Sequence, residues 1–76
     1  VELFVSHLPR RLEANDVLKS FSAVGTVTNV RLPIDAESGF SKGYAFVTVN
    51  AFDAARVLHV MHGTLVGRRT IGVEYA

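Results

Sequence analysis

The 76-residue chain contains no cysteine and no tryptophan, one methionine and two prolines. Without cysteine it can form no disulfide framework, zinc knuckle or zinc finger, a composition that fits a reducing compartment. No run approaches the ~18 apolar residues of a membrane-spanning helix, and no basic-then-apolar leader opens the chain. An excess of one charge is also missing, since 8 Lys and Arg stand against 7 Asp and Glu. A net charge of +1 excludes the long-range positive field of a protein that grips duplex mainly through its phosphates. Any binding of nucleic acid must therefore rest on more than charge. Nothing reads as a nucleophile with an orienting base, and the glycines form no phosphate-cradling loop, so no enzyme is expected. His59 and His62 have ligand-like spacing, but without cysteine or a neighbouring carboxylate triad they read as surface residues. Neither metal nor cofactor is expected.

What remains is an apolar fraction of 49% against 20% charged, well away from the composition of disordered chains. A chain of this length buries only ~60% of its unfolded surface, so it has one core and a simple architecture. The apparent start at Val1, already inside a strand pattern, and the stop at Ala76 point to a single domain, residues 1–76, belonging to something longer. As an isolated domain it is expected to be a monomer.

From Val1 to Ser6, Leu3 and Val5 point one way and Glu2, Phe4 and Ser6 the other, which predicts a strand. Between Leu12 and Val24, the residues Val17, Leu18, Phe21 and Val24 recur at helical spacing, and Gly25 supplies a stop. Val27, Val30 and Leu32 predict a second strand closed by Pro33; their uneven spacing predicts a bulge, with Asn29 and Arg31 outward. Asp35 to Ser41 is a turn in which Gly39 is free to take a positive φ. From Lys42 to Val49 the chain alternates, with Lys42, Tyr44, Phe46 and Thr48 on one face and Gly43, Ala45, Val47 and Val49 on the other. A second amphipathic helix is predicted over Ala51 to His62, with Asn50 as cap and Gly63 as stop. Leu65-Val66-Gly67 reads as a short turn or ribbon, and Ile71, Val73 and Tyr75 as the inward positions of a last strand. The order βαββαβ predicts an α+β, ferredoxin-like sandwich, a four-stranded antiparallel sheet with two helices on one face. An acylphosphatase-type hydrolase shares that architecture but does not call for aromatics on the open face.

Phe4, Tyr44 and Phe46 break the rule that outward positions on a half-covered sheet are polar. Three rings facing water are costly unless something covers them. Flat rings on adjacent strands offer an unstacked base a π-face worth ~1–3 kcal/mol per stack. A terminal helix or a protein partner would cover them as well.

Here the sequence resembles the RNA recognition motif family. Leu3-Phe4-Val5-Ser6-His7-Leu8 is similar to the six-residue motif on that family's first strand. Lys42-Gly43-Tyr44-Ala45-Phe46-Val47-Thr48-Val49 is similar to the eight-residue motif on its third. The likeness continues through Asp35, Ser38-Gly39, Asp53-Ala54, Gly63, Gly67-Arg68 and Val73-Glu74-Tyr75-Ala76. Two positions depart: Val49 replaces a usual aromatic on the inward side, and His7 replaces the usual Asn at the margin of the platform. The resemblance implies a module for single-stranded RNA, acting in the processing or metabolism of mRNA or other RNA. Phe4 and Tyr44 would stack on successive bases, with Phe46 between sugars or supporting a ring. Lys42 and Arg31 would meet phosphates or base edges, Glu74 and Ala76 would read bases, and Arg10, Arg11, Arg68 and Arg69 would ring the platform. It also implies a nuclear or cytoplasmic setting, with an organelle left open. The rival expectation is the same fold as a protein-interaction module, its partner docking on the helical face, where Phe52 and Val60 add apolar surface.

Overall fold

A computed structural model describes all 76 residues, Val1–Ala76. The elements are β1 (Glu2–Ser6), α1 (Ala14–Ser22), β2 (Val27–Arg31), β3 (Ala45–Val49), α2 (Ala54–Met61), β4 (Leu65–Val66), β5 (Arg69–Thr70) and β6 (Gly72–Tyr75). Four of the strands form an antiparallel sheet in the order β2-β3-β1-β6, and β4 and β5 pair as a separate ribbon. The ferredoxin-like α+β arrangement is present, with the segment after α2 built as a ribbon.

Alternation along β1 and β3 decides which face is the core. Leu3, Val5, Ala45 and Val47 are fully buried, packed with Val17 and Phe21 of α1 and with Val57 of α2. Burying a side chain the size of Phe21 contributes about 1.5–3 kcal/mol. Val49 is 2% exposed, so its departure from the family pattern belongs to packing. Leu18 is an exception among the predicted helix positions: at 37% exposed it borders a groove between α1 and β2 instead of the core. Tyr75 also departs from its expected inward role and is exposed, lying on an edge strand.

Both helices are shorter than their apolar periodicity. α1 starts after Glu13, whose N–H donates to Asp16 Oδ2 at 3.0 Å, satisfying an otherwise free backbone donor. α2 starts after Asp53, not Asn50, because Asn50 Oδ1 accepts the Phe52 N–H at 2.9 Å and closes a turn there. Asp53 instead accepts the Thr26 N–H at 2.9 Å and pairs with Arg56 at 2.7 Å, tying α2 to the loop after α1. Gly25 in that loop is required by close approach and not as a helix stop. A Cβ there would lie 2.6 Å from Val57 Cγ2 and 2.9 Å from Asp53 Cβ. The predicted bulge falls between Val27 and Asn29, with Thr28 as the extra residue.

Candidate nucleic-acid interface

The register builds the open face row by row. Arg31 stands opposite Phe46, Phe46 opposite Phe4, and Phe4 opposite Glu74. Successive strands of a sheet lie ~4.8 Å apart, so this transverse row runs from a cation on one edge, over two rings, to a carboxylate on the other. The bulge in β2 sets the phase that places Arg31 on the open face. Tyr44 completes the platform: its ring centroid is 5.7 Å from that of Phe4 and 6.0 Å from that of Phe46, and Phe4 and Phe46 are 5.5 Å apart. All three are half-buried, sharing edges with one another while keeping ring surface open.

Tyr44 follows a turn that interrupts the strand pairing, while the Lys42 N–H still donates across to the Pro33 carbonyl at 3.0 Å, beside the Ile34–Ser41 bridge. β3 starts at Ala45, later than the predicted Lys42, because Gly43 is left-handed at φ +92°. The Gly43 N–H donates to the buried Ser41 Oγ at 2.8 Å, and its carbonyl accepts the Leu8 N–H at 2.9 Å. His7 precedes that junction with φ +63°, the one non-glycine residue in the left-handed region. Asn and His both enter this region more readily than most side chains, which accounts for the exchange of one for the other here.

The cations divide into engaged and free. Arg31, expected to meet phosphates or base edges, lies over the Phe46 ring, 4.5 Å from its centroid, and reaches Glu2 at 3.8 Å, so it covers part of the platform. Arg10 pairs with Asp35 at 3.6 Å, and Arg11 lies 5.0 Å from the centroid of Phe40. Asp35 is held below the ordinary carboxylate pKa, first by the Glu37 N–H, with Arg10 and Lys42 adding to that and desolvation opposing it. Lys42 is exposed. Arg69 lies in β5, outside the four-stranded sheet. The ribbon turn carrying Gly67 and Arg68 comes against Pro9, so that turn sits beside the loop of Arg10 and Arg11. Ala76 is anchored by its N–H to the Glu2 carbonyl at 3.1 Å, at the far end of β6.

Three features escaped the linear reading. Phe40 and Ile34, 41% and 50% exposed, border a pocket with Arg10 and Arg11. Neither shows in any alternation, because the turn between β2 and β3 interrupts it. His62 looked like a plain surface residue, yet its Nδ1 accepts the Val73 N–H at 3.0 Å on the free edge of β6.

The family model for the RNA recognition motif matches residues 3–72. The chain belongs to the RNA recognition motif family. This RNA recognition motif is 32% identical over 75 residues to the protein Sex-lethal of Drosophila melanogaster, covering 97% of the chain and 21% of that protein. It is 32% identical over 74 residues to a chloroplastic 33 kDa ribonucleoprotein of Nicotiana sylvestris, covering 96% of the chain and 23% of that protein. The chain thus spans about a fifth of the length of these relatives. Among solved structures, the Rna15 domain with bound RNA (GU) superposes with a TM-score of 0.90 at 26% identity, covering 99% of this chain and 81% of that one.

Proposed function

We propose that this RNA recognition motif holds a few nucleotides of single-stranded RNA against its open sheet face. Bases stack on Phe4 and Tyr44, while Phe46 supports them from beneath Arg31. The observation that carries this reading is the cluster of three rings, with centroids 5.5–6.0 Å apart, on the face that neither helix covers. Stacking tolerates any base, since every base has a π-face, and it needs no strong positive field. Lys42 and the arginines of the rim supply phosphate contacts, and Glu74 and Ala76 meet base edges at the β6 side. The domain acts by binding and not by catalysis, within a protein that works in the processing or metabolism of RNA, in nucleus, cytoplasm or organelle. The RNA bound in the structure of its Rna15 relative supports this reading.

The test is titration of short oligonucleotides of each base against the domain and against Tyr44→Ala and Phe46→Ala. Binding at low salt that is lost in folded variants is the expected result. No binding by the wild type, or equal binding by folded variants, overturns the stacking mechanism.

A second reading is favoured by the helix side, where Phe52 is 96% exposed and Val60 45% exposed. Single exposed apolar residues are ordinary on protein surfaces, so this reading ranks below the first. It predicts that a protein partner of the parent chain is lost on Phe52→Ser with RNA binding retained.

A further inference from the structure

Beside the aromatic rings, at the β6 edge of the open face, lies a cleft of about 170 Å³ bordered by Ser6, His7, His62, Gly72, Val73 and Glu74. It exists because position 72 has no side chain. A Cβ on Gly72 would lie 2.8 Å from Ser6 Oγ, 3.8 Å from His7 Nδ1 and 4.0 Å from His62 Cε1, filling the space between two strands and a helix end. Gly72 is paired with Ser6, and Glu74, which borders the cleft, with Phe4, so the cleft lies one row of the sheet from the aromatic platform.

The hydrogen bond on the strand edge determines what this cleft offers. His62 Nδ1 accepts the Val73 N–H at 3.0 Å, so that nitrogen carries no proton and the neutral ring must carry it on Nε2. His62 therefore presents a donor with a defined tautomer, without depending on solvent to choose it. The Glu74 carboxylate on the same cleft presents two acceptor oxygens. No intramolecular partner engages the Glu74 side chain, which is exposed.

We infer that this cleft is a base-reading subsite selective for guanine, with His62 of the second helix and Glu74 of the last strand as its specificity-determining pair. The inference rests on the single-stranded RNA reading above. One donor beside two acceptors complements guanine, whose pairing edge carries the O6 acceptor beside the N1–H and N2–H donors. Adenine and cytosine each present only one amino donor to the carboxylate, and uracil only its N3–H. The Nε2–H of His62 donates to O6, and the two Glu74 oxygens accept from N1–H and N2–H. Ser6 and His7, whose Oγ and Nδ1 are 3.2 Å apart, close the far wall.

The probe is a uridine octamer carrying one guanosine, compared with the same strand carrying inosine, adenosine or cytidine there. Inosine removes only the N2 amino group. The wild type is expected to prefer guanosine over each alternative by about tenfold, the scale of one good base-edge contact. His62→Asn can retain an acceptor for the Val73 N–H while removing the Nε2–H, and Glu74→Gln removes the charge and one acceptor from an exposed position. Each variant is expected to bring its own preference for guanosine to about threefold or less. A wild type that binds the strands without that preference, or a preference that survives Glu74→Gln, overturns the inference and leaves the stacking platform standing. A wild type that binds none of the strands defeats the platform reading itself.

Discussion

The two faces of β1 and β3 are made by alternate residues of the same ten positions, yet they do opposite work. Leu3 is opposite Val47 and both are fully buried, while the next pair, Phe4 opposite Phe46, keeps its rings half open. A pleated strand sends neighbouring side chains to opposite sides, so a single register error would exchange the core and the platform. Apolar character alone does not distinguish the faces here. What distinguishes them is whether a helix lies above.

This contrast fails most visibly if the covered face is emptied. Phe21→Ala should destabilise the domain by about 3–5 kcal/mol, read from the urea midpoint, against a total of about 5–15 kcal/mol for small domains. An unchanged midpoint would mean that the helix does not close the core. On the open face the signature reverses. Phe4→Ala should weaken RNA binding by about 1–3 kcal/mol per lost stack. Its urea midpoint should show only a small change, and a loss as large as that of Phe21→Ala would make Phe4 a core residue.

Lys42→Ala sharpens the contrast further, since an exposed cation should act on affinity without choosing a base. Binding should weaken alike across sequences, and the slope of log affinity against log salt should fall by about 0.7, the single-strand value for one phosphate contact. An unchanged slope would remove Lys42 from the phosphate path. The smallest effect belongs to the covered side. Asp53 is held below the usual carboxylate pKa, first by the Thr26 N–H and then by Arg56, with desolvation opposing. A folded-state pKa below the unfolded one gives stability that is present above the unfolded value and disappears as pH falls through the folded value. Melting temperatures across pH 2–6 should therefore fall less steeply toward acid for Asp53→Asn than for the wild type. Parallel curves would show that this contact contributes nothing to folding.

Much of the platform was legible because alternation and the two motifs are local. Phe4, Tyr44 and Phe46 share a face through period-two spacing, and the ring distances agree with that assignment. The bulge in β2 was legible from uneven apolar spacing. Helix starts were less so, since Asn50 and Asp53 are both residue types that cap helices, and Asn50 closes a turn on Phe52 while Asp53 is held by Thr26, 27 residues away. The engagement of Arg31 by Phe46 and Glu2 was invisible for a related reason. Those contacts join three strands, and strand order is not written in any one of them.

By itself, the sequence determined the element types, the inward and outward faces of β1 and β3 and the family, because periodicity and short motifs depend on backbone geometry within a few residues. Tertiary structure alone decided which cations remain free, why His7 occupies a left-handed position, and that His62 closes the edge of β6. Each of these depends on groups brought together by strand order and helix packing. His62 and Val73 are eleven residues apart in the chain and 3.0 Å apart in space, and no local pattern encodes that meeting.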